Sequence, residues 1–199
     1  MKIELKYGRE GLLVDLADDL DVTVIRKPTM PVIEDSETAV VQALDNPVGT
    51  PPLRALAETA TSATIAICDI TRPVPNGLFL RPMIEQLIGG GISADAITVI
   101  VATGLHRPNL GAELEELIGD SWVLRQVKVV NHYARDDDAH VLVGKTKTRG
   151  SVIRLDRRFV DADLRIVTGL VEPHFMAGYS GGRKVIAPGL AHAETITTF

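Results

Sequence analysis

The sequence has 199 residues and a formal net charge of −5, with 45% hydrophobic, 24% charged and 4% aromatic residues. This length and apolar content allow a sizeable core, which excludes a disordered or fibrous protein. No apolar run reaches the roughly 18 residues of a membrane span, and an acidic chain lacks the basic face that nucleic-acid phosphates require. The single cysteine, Cys68, excludes a disulfide framework and favours a reducing compartment. We therefore expect a globular cytoplasmic protein without membrane or nucleic-acid partners.

The first 27 residues alternate between apolar and polar side chains around two glycines. A period of two around a glycine-bearing connection predicts a β-hairpin. The apolar residues around Val24 predict a short third strand that ends before Pro28. Capping residues then predict two helices, which begin near Ser36 and near Thr50.

From residue 63 onward, continuous apolar runs alternate with helical patterns. The long runs end at Cys68, Ala102 and Leu170, and shorter strand candidates lie at 127–130 and 140–143. Strands that are covered on both faces are apolar throughout, as these runs are. We therefore predict an α/β fold with a mainly parallel, Rossmann-like sheet and helices on both faces, preceded by the N-terminal β-hairpin region.

Three loops begin where a predicted buried strand ends, at the edge of a parallel sheet where ligands bind. The first loop contains Asp69, Thr71 and Arg72. An arginine guanidinium can donate two parallel hydrogen bonds to a carboxylate or a phosphate. Arg72 therefore either binds an anion or braces the turn by pairing with Asp69, and the sequence leaves both interpretations open.

The other two loops contain histidines, His106 and His174, directly after long apolar runs. An imidazole titrates near neutral pH, so two histidines in one cleft can act as base and acid and exchange roles, as a racemase requires. The alternative is that each ring only hydrogen-bonds the backbone. His132 and His140 flank a charged turn and are expected at the surface, whereas His192 is expected to cap a helix or lie at the surface rather than bind a metal.

The third loop ends in a glycine-rich, basic segment, 178–184. Glycines let backbone N–H groups approach a phosphate, and Arg183 and Lys184 add positive charge. The segment is neither a Walker A loop nor a GxGxxG motif, and tight-turn packing also explains its glycines. Lys184 is either a covalent anchor, since a desolvated amine is nucleophilic, or a solvated surface amine. With no HExxH motif and no second cysteine, we predict no metal site within the chain.

The three loops carry motifs that occur in this order in a known family. They are Asp-Ile-Thr-Arg-Pro at 69–73, Ala-Thr-Gly-Leu-His-Arg-Pro at 102–108, and a long motif at 171–184 that includes Glu-Pro-His-Phe and Gly-Gly-Arg-Lys. Together they resemble the N-terminal domain of the nickel-dependent lactate racemase family, and the resemblance covers at least residues 63–189. It implies an isomerase that racemises or epimerises α-hydroxy acids. The implied cofactor is a nickel-pincer nucleotide, pyridinium-3-thioamide-5-thiocarboxylic acid mononucleotide with nickel.

The resemblance also implies roles for individual residues. Lys184 would form the thioamide link to the cofactor, and His106 and His174 would be the two acid/base residues, one for each enantiomer. Arg72 would also contact the anionic group of the substrate. The residues of the first motif would line the cofactor site: Asp69, Thr71 and Arg72.

A domain organisation follows from the same resemblance. Residues 1–199 would be the N-terminal catalytic and cofactor-anchoring domain of a two-domain enzyme, and the C-terminal domain would lie outside this sequence. The histidine that binds nickel in the family would fall at or beyond Phe199, so the isolated chain is expected to lack the cofactor and to turn over little. Two other hypotheses stay open: an α/β module that binds a nucleotide or phosphate without covalent chemistry, and a non-catalytic interaction domain.

Overall fold

The computed structural model describes residues 1–174 and 176–199, so Phe175 of the third motif lies outside the described residues. The chain divides into two compact units, Met1–Ile33 and Glu34–Phe199. The first unit contains a hairpin of β1 (Lys2–Leu5) and β2 (Leu12–Asp15), paired antiparallel as the alternation predicts. Residues 16–33 form no strand, because no neighbouring strand pairs with them, and the predicted third strand is therefore wrong.

The second unit is built on a parallel four-stranded sheet in the order β5-β4-β3-β8. Its strands are β3 (Ala63–Cys68), β4 (Ile97–Ala102), β5 (Lys128–Asn131) and β8 (Leu164–Val167). Two antiparallel pairs lie outside this sheet: β6 (His140–Lys145) with β7 (Val152–Asp156), and β9 (Pro173–His174) with β10 (Gly178–Tyr179). The prediction of an α/β fold with a mainly parallel sheet and an N-terminal hairpin is confirmed.

The helices connect and cover these strands. They are α1 (Ser36–Asp45), α2 (Leu53–Ala57), α3 (Asn76–Gly89), α4 (Ala112–Ile118), α5 (Ser121–Gln126), α6 (Arg157–Val160), α7 (Arg183–Ile186) and α8 (Ala193–Ile196). A 3₁₀ turn, Ala94–Ala96, leads into β4. Among the described residues, no helix has both the length and the apolar character needed to cross a membrane.

Helices pack on both faces of the parallel sheet because alternate side chains of a strand point in opposite directions. On one face, Ile65 of β3 shares a fully buried core with Ile84 of α3. On the other face, Ala66 shares a second core with Phe159 of α6 and Val185 of α7. This double coverage explains why the strand sequences are continuously apolar, and it leaves the loops at the carboxyl edge of the sheet to form a cleft.

Two histidines that were predicted at the surface are buried. His132 is 1% exposed and His140 is 4% exposed, although the charged turn between them is exposed. The Nδ1 of His132 lies 3.1 Å from Asp156 Oδ2, and its Nε2 lies 3.1 Å from the carbonyl oxygen of Ala191. Burial lowers the pKa of His140. The charged side chains of the turn therefore do not show where the flanking rings lie. His132 has its partners at the end of β7 and at residue 191, whereas His140 Nδ1 lies 2.6 Å from the Asp136 carbonyl oxygen.

Candidate active site

A cleft of about 320 Å³ lies among the loops that follow β3, β4 and β8. Its volume falls within the roughly 300–1,000 Å³ of ordinary ligand pockets. All six residues singled out in the sequence line it: Asp69, Thr71, Arg72, His106, His174 and Lys184. These residues come from distant parts of the chain, and they meet because parallel strands bring their carboxyl ends to one edge of the sheet.

The His106 ring is oriented by Asp69, which directly follows β3 and is 5% exposed. The distance from His106 Nδ1 to Asp69 Oδ2 is 2.5 Å, and the other carboxylate oxygen accepts hydrogen bonds from the hydroxyl and the N–H of Thr71. A carboxylate partner keeps the proton on Nδ1, so that Nε2 is the acceptor atom of the neutral ring. The His106 side chain is 62% exposed, so this acceptor is accessible to a ligand.

Two buried asparagines connect the loop of Asp69 to the rest of the sheet. The side-chain oxygen of Asn109 accepts the Ile70 N–H at 3.2 Å. Asn109 and Asn131 exchange two hydrogen bonds of 2.9 Å between the side chain of Asn131 and the backbone of Asn109. Neither asparagine could be recognised from the sequence. The only sign of them in the sequence is an asparagine near the end of a strand, and such asparagines are too common to mark a functional residue.

His174 is held differently, on the short hairpin of β9 and β10. Its Nδ1 accepts the N–H of Ala177 at 3.2 Å, so the proton of the neutral ring lies on Nε2. The base of the hairpin is fixed by Ser180, a buried residue that the sequence analysis did not single out. The Ser180 hydroxyl donates to the Leu170 carbonyl at 2.6 Å and accepts the Glu172 N–H at 3.2 Å. The two histidines of the cleft are therefore in opposite tautomers.

Arg72 pairs with a residue that the sequence analysis did not single out. Its Nη1 donates to Glu172 Oε1 at 2.7 Å, whereas Asp69 is engaged with His106 and Thr71. The interpretation of Arg72 as a turn brace paired with Asp69 is therefore wrong. Arg72 instead joins the first loop to the third while it lines the cleft.

Lys184 lies on α7, half-buried, at the wall of the cleft. Within the described part of the chain, its amine forms no hydrogen bond or ion pair. The preceding glycines serve the turn: Gly181 has φ +74°, and a Cβ added there would lie 2.9 Å from the Leu170 carbonyl oxygen. The neighbouring thiol of Cys68 also lines the cleft, and burial raises its pKa, which keeps it protonated near neutral pH.

His192 caps α8, since its Nδ1 accepts the Glu194 N–H at 3.1 Å. Its Nε2 lies 3.2 Å from Asp137 Oδ1. A capping role was one of the two expectations from the sequence. Within residues 1–174 and 176–199, no group of three or more histidine, cysteine or acidic side chains is arranged to hold a metal ion.

The fold and the cleft define an α/β protein that presents imidazole, carboxylate, guanidinium and amine groups at the carboxyl edge of a parallel sheet. The family described as the lactate racemase N-terminal domain matches residues 7–199. The chain belongs to this family.

Known proteins support this assignment. The lactate racemase of Thermoanaerobacterium thermosaccharolyticum is 35% identical over 196 residues, which are 98% of this chain and 45% of that protein. The lactate racemase of Lactiplantibacillus plantarum is 36% identical over 197 residues, which are 98% of this chain and 46% of that protein. The chain therefore spans about half the length of the curated relatives it matches.

Solved structures show the same fold. The lactate racemase apoprotein from T. thermosaccharolyticum matches with a TM-score of 0.82 and 33% identity, over 98% of this chain and 45% of that chain. A crystal structure of a protein from Thermotoga maritima matches with a TM-score of 0.64 and 24% identity, over 81% of this chain and 40% of that chain. The second match supports the fold alone.

Proposed function

We propose that this chain is the N-terminal, cofactor-anchoring domain of a cytoplasmic two-domain enzyme that racemises or epimerises a small α-hydroxy acid such as lactate. One observation carries the proposal: His106, His174 and Lys184 line a single cleft in a chain of the lactate racemase N-terminal domain family. Two relatives of about 35% identity are named lactate racemase, which supports a lactate-like substrate. The chain spans less than half of each, so we assign the complete reaction to the two-domain enzyme rather than to this chain alone.

The groups in the cleft fit a lysine-linked nickel-pincer nucleotide. Lys184 presents an amine that has no partner among the described residues, and Arg72 presents guanidinium N–H groups for an anionic group. We assign the covalent thioamide link to Lys184, and the lining of the cofactor site to Asp69, Thr71 and Arg72. When bound, this cofactor supplies the hydride acceptor and donor, which no side chain of the cleft can provide.

The chain's own residues handle the hydroxyl proton and the orientation of the substrate. Arg72 binds the carboxylate of the hydroxy acid, and His106 Nε2 accepts the hydroxyl proton. Asp69 stabilises the imidazolium that forms. His174, in its protonated form, returns a proton to the oxygen on the other side. The roles exchange when the opposite enantiomer enters, so one residue serves each enantiomer.

Intact-mass spectrometry tests the covalent link. The two-domain enzyme that contains this chain is coexpressed with the enzymes that synthesise the cofactor, alongside Lys184→Ala and the matched control Lys147→Ala, which removes an exposed lysine. We expect a cofactor adduct on the unsubstituted chain and on the control, and bare polypeptide for Lys184→Ala. Bare polypeptide for all three, under conditions that load a full-length relative, contradicts the proposal.

A second candidate function is a nucleotide- or phosphate-binding module without covalent chemistry. It is supported by the presence of Arg72 and Lys184 in one cleft, since both can bind a phosphate electrostatically. This function predicts reversible binding of a mononucleotide that survives in Lys184→Ala. Calorimetric titration of that variant with a mononucleotide separates the two candidates.

A further inference from the structure

We propose that Glu172 is a positioning residue, whose carboxylate holds the Arg72 guanidinium in the orientation that receives the anionic group of the ligand. The inference rests on the anion-binding role that the proposed function gives to Arg72. Glu172 lies two residues before His174 and, unlike Arg72, does not line the cleft. It therefore acts on a ligand through Arg72 rather than by touching it.

The contact itself is short and links two loops. Arg72 Nη1 lies 2.7 Å from Glu172 Oε1, and the side chains are 31% and 36% exposed, so water screens the pair only in part. Within the described residues, the other N–H groups of the Arg72 side chain form no hydrogen bond. Because the guanidinium is a rigid plane, fixing one of its nitrogens also fixes the direction of the remaining donors.

Glu172 is itself fixed, as a positioning residue must be. Its N–H donates to the Ser180 hydroxyl at 3.2 Å, and its carbonyl oxygen accepts the Ser180 N–H at 2.9 Å. Ser180 is buried and anchored in turn to the Leu170 carbonyl. The carboxylate of Glu172 therefore extends from a residue whose backbone is held at both its N–H and its carbonyl oxygen.

Positioning and simple electrostatics predict opposite effects when Glu172 is removed. A carboxylate beside an anion-binding guanidinium repels the anion, so its removal would tighten binding if repulsion were its main effect. If it positions Arg72, its removal loosens binding despite the gain in positive charge. The sign of the change therefore decides between the two roles.

Titration of the purified chain with inorganic phosphate measures this sign. For Glu172→Ala we expect phosphate affinity to fall about tenfold, the loss expected from a charge-assisted hydrogen bond. For Glu172→Gln we expect affinity at or above that of the unsubstituted chain, because an amide oxygen still accepts from Arg72 while the repulsion is gone. Unchanged or tighter binding by Glu172→Ala overturns the proposal.

NMR of the Arg72 Nε–H group supplies a readout that does not depend on binding. We expect a resolved side-chain signal in the unsubstituted chain and in Glu172→Gln, and a signal averaged with solvent-exposed arginines in Glu172→Ala. The matched control is Glu85→Ala, which breaks a 2.8 Å pair with Arg81 away from the cleft and should leave phosphate binding unchanged. Persistence of the resolved Arg72 signal in Glu172→Ala overturns the proposal.

The variant Arg72→Ala separates this inference from the proposed function. If Arg72→Ala weakens phosphate binding while Glu172→Ala strengthens it, only the positioning role is wrong. If Arg72→Ala leaves phosphate binding unchanged, or if the unsubstituted chain binds no phosphate, the anion-binding role of Arg72 is wrong. The proposed function then lacks this role for Arg72, and the positioning role of Glu172 is wrong as well.

Discussion

The two histidine loops of the cleft are supported by different means. His106 is tied to Asp69, a buried carboxylate at the end of a central strand, and that loop is connected to β5 through Asn109. His174 sits on a short hairpin whose residues 176–179 are all exposed, and polar contacts of Ser180 and Glu172 hold it. Segments with few buried contacts open at lower free-energy cost than core elements. The position of the His106 ring is therefore fixed by the stable parallel sheet, whereas the position of the His174 ring depends on a few hydrogen bonds.

The largest expected effect tests whether both loops serve the same reaction. In the cofactor-loaded two-domain enzyme, His106→Ala and His174→Ala should each lower kcat by roughly 10²–10⁴-fold, the usual contribution of a general acid or base. Both directions of racemisation should suffer, since each direction uses both rings. Enantiomer interconversion is followed by polarimetry, with circular dichroism to confirm folding. Unchanged activity in both variants would favour the non-catalytic interaction domain.

A smaller loss is expected when the support of His106 is changed and the ring is kept. In Asp69→Asn the amide no longer requires a proton on Nδ1 and no longer stabilises the imidazolium, so kcat should fall, by less than the roughly 10²–10⁴-fold expected for His106→Ala. The loss should be greater in the direction in which His106 removes the proton. The pH profile of kcat is the measurement, and a profile identical to that of the unsubstituted enzyme would remove Asp69 from the mechanism.

Acid should lower the free energy of unfolding by protonating the buried carboxylate of Asp156. Burial acts to raise the pKa of Asp156, but hydrogen bonds from Arg158 and His132 outweigh it and hold the pKa at about 2, below the ordinary value of 3.8. The carboxylate therefore stabilises the fold fully above about pH 4, and this contribution of about 2 kcal/mol is lost as the pH falls through 2. Urea denaturation across this range measures the loss.

The variant Asp156→Asn is the comparison for the acid effect. It lacks the titrating carboxylate, so its stability should depend less on pH between 4 and 2 than that of the unsubstituted chain. Glu113, whose pKa is also about 2 because Arg107 and Asn109 hydrogen-bond it, is present in both proteins and cancels in the difference. Equal slopes in the two proteins would contradict the assignment to Asp156.

The smallest expected effect concerns the support of His174. Ser180→Ala removes a buried hydroxyl that bonds the Leu170 carbonyl and the Glu172 N–H, which should lower the free energy of unfolding by about 1–2 kcal/mol. The control is Ser121→Ala, which removes an exposed hydroxyl and should change stability by less than about 0.5 kcal/mol. Urea denaturation of both variants is the measurement. A Ser180→Ala variant as stable as the control would show that the hairpin does not depend on this hydroxyl.

The central strands could be predicted from sequence because burial on both faces leaves a direct signature. The apolar run at 63–68 coincides with β3, since a polar residue bounds it on each side. Strand β7 could not be predicted in this way, because its residues are mostly half-buried and it pairs with β6 and, through Leu155, with Ala191 rather than with the parallel sheet. The inward orientation of His132 and His140 could not be predicted either, because the charged residues between them indicate only that the turn itself is exposed.

In the cleft, too, some residues could be predicted from the sequence and others could not. The positions of His106, His174 and Lys184 follow from strand order, because each lies in a segment that follows a strand of the parallel sheet. The hydrogen-bond partners that support these residues cannot be inferred from strand order. Ser180 and Glu172 act through hydrogen bonds whose existence depends on the conformation of one loop, and residue types in such loops are compatible with many conformations.

Because His106 and His174 line one cleft, the proposed reaction must begin with one ring neutral as the acceptor and the other protonated as the donor. In the proposed reaction, one turnover leaves the proton on the ring that began as the acceptor and takes it from the ring that began as the donor. The two rings have therefore exchanged protonation states in the protein that is released with its product. Before it can process a second molecule of the same enantiomer, it has to trade protons with water, so a saturating supply of one enantiomer would make this resetting step part of the turnover time.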